Sequence, residues 1–171
     1  MSDAALLIDA SAFLGMHHQD DEIRLRSLAF FQNHFESLQV CMNYEQIGIC
    51  DAVIWLQSRD VQDIYYPFMD NLHSDMKIQR AGYSFDELYW ARKHGSDLGL
   101  KPEQALLTAQ VLRRGARLVT NDPAMLALSE LSAHLWTKAP TAQIAPFPRE
   151  LEALYEDSRC FIYNGQELSN G

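Results

Sequence analysis

Asp9, Glu45 and Asp122 are the residues of this 171-residue chain best placed to do chemistry. Asp9 closes the apolar run "LLID", Asp122 closes "RLVTND", and Glu45 stands two residues beyond "LQVCMN". If the three runs are parallel strands, all three carboxylates meet at one edge of a sheet, beyond the strands' carboxyl ends, where such sheets bind ligands. Clustered hard oxygen donors suit Mg²⁺ or Mn²⁺. An ion of that kind activates a water and neutralises charge building on a phosphate. Each acid also has a structural use, because Asp is a favoured helix N-cap. Three caps, however, need not converge on one edge.

The elements around these acids read as an alternation of strands and helices. "AALLIDAS" (4–11) predicts a buried strand, and "LQVCMN" (38–43) a second. "ARLVTND" (116–122) predicts a third and "AHLWTKA" (133–139) a fourth. Between them, 20–35 predicts a helix with Leu25, Leu28, Phe31 and Phe35 on its core face. Asn43 suits an N-cap for the helix carrying Glu45, with Gln46 at its third position. Residues 59–76 predict two helices bent around Pro67. Ser84 caps another helix that ends near Gly95. Pro102 opens the clearest helix and Gly115 ends it. A last helix is predicted over 149–157. Strand–helix alternation of this kind makes a three-layer α/β/α domain with a mainly parallel sheet of about four to five strands. The predicted division is a domain over 1–140 and a packed C-terminal extension over 141–171 whose last residues are mobile.

The formal net charge is −9 and the apolar share 47%. An acidic chain argues against broad binding to nucleic acid, while leaving room for a nuclease whose metal reverses the local sign. Cys41, Cys50 and Cys160 form no CxxC pair and read as buried or half-buried free thiols rather than a zinc site. The N-terminus has no signal-peptide pattern and no run reaches the length of a spanning helix, so a cytoplasmic protein with no membrane partner is expected.

"LLIDASAFL", "MNYEQIG" and "EQALLTAQVLRRGARLVTNDPAML" together resemble a PIN domain, over residues 4–138. The resemblance implies a small α/β fold and an Mg²⁺- or Mn²⁺-dependent ribonuclease, often a homodimer and often the toxin of a toxin–antitoxin pair. It implies metal ligands at Asp9, Glu45 and Asp122, with Thr120 and Asn121 beside the metal. The family usually carries a further Asp at the position of Gln104. Glu103 is adjacent, but one helical step turns a side chain by about 100°. Gln keeps a neutral oxygen and removes one negative charge. The alternative is therefore a catalytically impaired PIN-like subunit that binds a protein partner, antitoxin-like or part of a complex.

Arg113, Arg114 and Arg117 could grip an RNA backbone, or simply favour a helix C-terminus. "MHHQDDE" (16–22) reads as a solvated loop bordering the site. The aromatic stretch 59–76 reads as core, dimer face, base-stacking surface or partner surface. A small-molecule phosphate enzyme is disfavoured by the lack of a Gly-rich phosphate loop.

Overall fold

The computed structural model describes residues 5–137 and 145–166. It is an α/β structure around four strands: β1 (Leu6–Ile8), β2 (Val40–Asn43), β3 (Gln79–Ala81) and β4 (Arg117–Val119). All pairings are parallel and the spatial order is β3-β2-β1-β4. The expected three-layer arrangement is present, and β1 shows why. Strand side chains alternate faces, so Leu6 and Ile8 join the larger core while Leu7 joins a second one. The larger core gathers α1 (Ala10–Leu14), α2 (Asp21–Asn33), α3 (Tyr44–Trp55), α4 (Arg59–Asp75) and α8 (Arg149–Ser158). The second core holds α6 (Pro102–Arg114) and α7 (Pro123–Ala127) against Leu118. Helix α5 (Phe85–His94) packs on α6 through Ala91, Ala105 and Ala109.

Local signals set most helix ends. Asn43, Ser58, Ser84 and Asp20 each accept a backbone N–H as N-caps, and Ser84 with Glu87 completes a capping box. Gly115 stops α6 with φ of 59°, a left-handed conformation that a side chain resists.

Several expectations are corrected. Residues 59–75 form one helix, not two. Pro67 lies on its exposed side, while Tyr65, Phe68 and Leu72 hold it to the core. On the 20–35 segment Phe31 is buried and Leu28 and Phe35 pack against the core as expected, but Leu25 is 50% exposed and Phe30 is buried in its stead. Strand β3 escapes notice in the sequence because it is a polar edge strand. The segment predicted as a fourth strand makes a single parallel bridge, Leu118 with Leu135; its end at 138–139 lies outside the described residues. So do the predicted boundary at 140/141 and most of the tail predicted to be mobile. The C-terminal part contributes Phe147, Leu151, Tyr155 and Phe161 to the main core. Cys50 is buried and Cys41 half-buried, but Cys160 is exposed; all three are free. Among the described residues, no helix is long and apolar enough to cross a membrane.

Candidate functional site

The chain leaves β1 and β4, neighbours in the sheet, at the point where the strand order reverses. Crevices at such a point receive ligands in open α/β sheets. Asp9 follows β1 and Asp122 stands three residues beyond β4. A cavity of about 350 Å³ opens there, lined by Asp9, Glu45, Glu103, Gln104 and Asp122, with Ile49, Val53, Leu56, Leu107 and Met125 as apolar wall. Four carboxylates of the described residues therefore face one cavity, and no described Lys, Arg or His lines it.

Asp9 is buried and tightly held. Its Oδ1 accepts from Ser11 Oγ at 2.7 Å and from the Ala12 N–H at 2.8 Å, which makes it the N-cap of α1. Its Oδ2 accepts from Thr120 Oγ1. Burial pushes the Asp9 carboxyl up to about 6 despite these bonds, and the charge of Asp122 adds to the rise. Asp122 caps α7 through the Ala124 N–H at 2.9 Å. Its Oδ2 accepts from Gln104 Nε2 at 2.8 Å. Glu45 turns to the side and accepts from Tyr83 Oη at 2.7 Å. Burial, then that bond, pushes the Tyr83 phenol well up.

Asn121 braces the corner. Its N–H donates to Ser11 Oγ at 2.8 Å, and its amide donates to Ser11 O at 3.0 Å and Ser27 Oγ at 2.8 Å. Gly15 makes room for this, because a Cβ there would stand 2.5 Å from Asn121 Nδ2 and also collide with Ser27. Gly15→Ala is expected to cost about 1–3 kcal/mol by overpacking. Thermal melting checks this, and an unchanged midpoint would show the corner to be soft.

Gln104 departs from expectation. Its Oε1 accepts from the Lys101 N–H at 3.0 Å at the start of α6, so its amide nitrogen, not its oxygen, faces Asp122. A donor stands where a ligand oxygen was anticipated. Glu103, expected to point elsewhere, lines the cavity beside it. The first turn of α6 thus presents both side chains.

The basic residues singled out in the sequence are occupied. Arg113 pairs with Asp86 and Arg114 with Glu87, both at 2.5 Å, tying α6 to α5. Arg114 also lies about 15 Å along the helix axis from Gln104, at 1.5 Å per residue. Arg117 donates to Leu135 O at 3.3 Å and lies over the Trp136 ring. The "HH" pair is no solvated loop: His17 is buried among Tyr65, Phe68, Tyr155 and Phe161. The aromatics of 59–76 are core rather than surface.

As the side chains stand, no three His, Cys, Asp or Glu of the described residues form a group able to hold a metal ion. The donor set nevertheless fits a hard cation. Mg²⁺ is commonly held by one or two carboxylates together with waters and substrate phosphates. A carboxylate offers about four lone-pair sites, and Asp9 and Asp122 spend three and two of them.

A family model described as "Family of unknown function (DUF6190)" matches residues 1–168. No curated protein matches the chain. The crystal structure of PAE2754 from Pyrobaculum aerophilum is similar, with a TM-score of 0.59 at 16% identity, over 77% of this chain and 83% of that chain. At that identity the likeness speaks to the fold alone. The chain belongs to DUF6190, a family of unknown function.

Proposed function

We propose that this protein is a PIN-like, divalent-metal-dependent endoribonuclease that hydrolyses RNA phosphodiester bonds, of the kind found as toxin components. One observation carries the reading: among the described residues, four carboxylates and no cationic side chain line a single cavity at the strand-order reversal. Clustered like charges are costly unless something compensates them. Asp9 and Asp122 would hold the ion, Mg²⁺ or Mn²⁺, with Glu45 completing the set once released from Tyr83. The bound ion would supply charge neutralisation at the phosphate and a more acidic water. Thr120 and Ser11 hold the Asp9 carboxylate in place, and Asn121 fixes the turn that carries Asp122.

Calorimetric titration of Mn²⁺ and Mg²⁺ into the wild type and Asp9→Asn tests this, followed by RNA cleavage assays. Saturable binding lost in the variant supports the reading. Absence of binding by the wild type rules it out.

A second reading, a catalytically impaired PIN-like subunit serving as a protein-interaction module, is favoured by the Gln104 amide donating to Asp122. The two readings diverge on Gln104→Glu. Glu at this third helical position can still accept the Lys101 N–H, but adds a negative charge beside Asp122. On the hydrolase reading, Mn²⁺ affinity rises by at least about ten-fold, a modest share of the Coulomb gain at short range. The metal-free variant should melt lower, through like-charge repulsion. Unchanged Mn²⁺ affinity would favour the interaction module.

A further inference from the structure

We infer that Arg26 is the residue that receives a substrate phosphate beside the turn between β4 and α7 that carries Asp122, gripping single-stranded RNA next to the proposed metal site. The inference rests on the hydrolase reading for the identity of the ligand and on the following geometry for the residue.

Arg26 is exposed on α2, yet it reaches the acidic corner. Its Nη2 donates to Asn121 Oδ1 at 3.2 Å. Both amide hydrogens of Asn121 are committed to Ser11 O and Ser27 Oγ, so its oxygen is held toward the guanidinium. Asn121 in turn donates its N–H to Ser11 Oγ, which donates to Asp9. A cation is therefore linked to the buried Asp9 carboxylate through two residues, Asn121 and Ser11.

Arg26 is also uncommitted. The described ion pairs engage Arg24, Arg59, Arg113, Arg114 and Arg159. Arg26 has no carboxylate partner among the described residues. A guanidinium carries five donors, and one contact to Asn121 leaves most of the fork for a ligand.

The electrostatics explain why such a residue is needed. Four carboxylates face the cavity, and the chain carries −9 overall, so an approaching phosphodiester is repelled. A planar guanidinium matches phosphate oxygens two at a time. The carboxylates, in turn, attract the cation that a phosphate would share. Arg113, Arg114 and Arg117 cannot take this part without leaving Asp86, Glu87 and the Leu135–Trp136 segment.

The test is fluorescence anisotropy of a short labelled single-stranded RNA against the full-length protein over a series of salt concentrations. Ca²⁺ replaces Mn²⁺ to slow hydrolysis. Wild type is compared with Arg26→Gln, which keeps a donor for Asn121 and removes the charge, and with Arg26→Lys. Mn²⁺ calorimetry runs in parallel. Arg26→Gln is expected to weaken RNA binding roughly ten-fold, as loss of a charged hydrogen bond does. It should also flatten the log–log salt dependence by about 0.7, the signature of one lost single-strand phosphate contact. Arg26→Lys should restore the slope, and melting temperature and Mn²⁺ binding should stay unchanged. Equal affinity and slope in Arg26→Gln would overturn the inference, as would a wild type that fails to bind RNA. If RNA binding depends on Arg26 while Mn²⁺ does not bind, the inference stands and the hydrolase reading falls.

Discussion

Asp9→Asn is expected to abolish Mn²⁺ binding and, in EDTA at pH 8, to raise the melting temperature. Both effects come from one burial. The Asp9 carboxyl titrates near 6 in the folded protein against 3.8 in the unfolded chain. The folded state holds this proton more tightly, so the contribution to stability is fully present below about pH 4. It is lost as the pH climbs through the interval to 6. Above that, the ionised form costs about 3 kcal/mol, at 1.36 kcal/mol per unit. Asn keeps an oxygen for the Ala12 N–H and Ser11, and its amide can donate to Thr120. It removes the buried charge. A gain of about 3 kcal/mol is worth several degrees in a chain of this size. The same carboxylate is what a cation would bind, and ligand binding stabilises by mass action. The wild type should therefore gain from Mn²⁺ what the variant already has without it. A variant melting below wild type in EDTA would mean that the Thr120 and Ser11 bonds outweigh the burial penalty. The acid corner would then be structural.

What could be read from the sequence and what could not divide along one physical line. Signals carried by neighbouring residues were legible. The apolar runs of β1, β2 and β4, the caps at Asn43 and Ser84, and the Pro102–Gly115 frame of α6 all act within a few positions. So was the placement of Asp9, Glu45 and Asp122 around one cavity, because parallel strands deliver their carboxyl ends to a common edge. Interactions across long separations were not legible. Arg113 and Arg114 read as free cations because Asp86 and Glu87 lie 27 positions away. Arg26 drew no notice because its partner, Asn121, is 95 positions distant. His17 read as solvated because Ser158, which closes over it, is 141 positions on. Gln104 shows a finer limit. Its position was legible, but not which end of its amide faces Asp122, because a backbone N–H at Lys101 decides that.

His17 and His73 should make the fold acid-labile well above the pH at which ordinary carboxylates titrate. Ser158 Oγ donates to Tyr155 O at 2.7 Å, so it accepts from His17 Nε2 at 2.7 Å. That leaves His17 Nδ1 buried without a partner among the described residues. His73 is buried against Phe13, with ring centroids 5.1 Å apart, and neither of its nitrogens finds a partner among the described residues. Burial pushes His17 down to about 3, helped by Arg159 and Arg24, and His73 down to about 4, helped by Arg80. Both start from 6.5 in the unfolded chain. Below 6.5 the unfolded state therefore binds more protons, and stability falls with pH until the folded values are reached. At pH 5 the two together cost roughly 4 kcal/mol at 1.36 kcal/mol per unit, a large part of the 5–15 kcal/mol typical of a domain. Asp9 works in the opposite direction between 6 and 3.8 and offsets part of the loss. Urea unfolding at pH 7 and pH 5 measures the net effect. His73→Leu should unfold at higher urea than wild type at pH 7, since it removes two unpaired buried nitrogens, and should show a shallower decline toward pH 5. If the variant declines as steeply as wild type, His73 takes up its proton without opening the core, and the aromatic cluster around it must be loose enough to admit water.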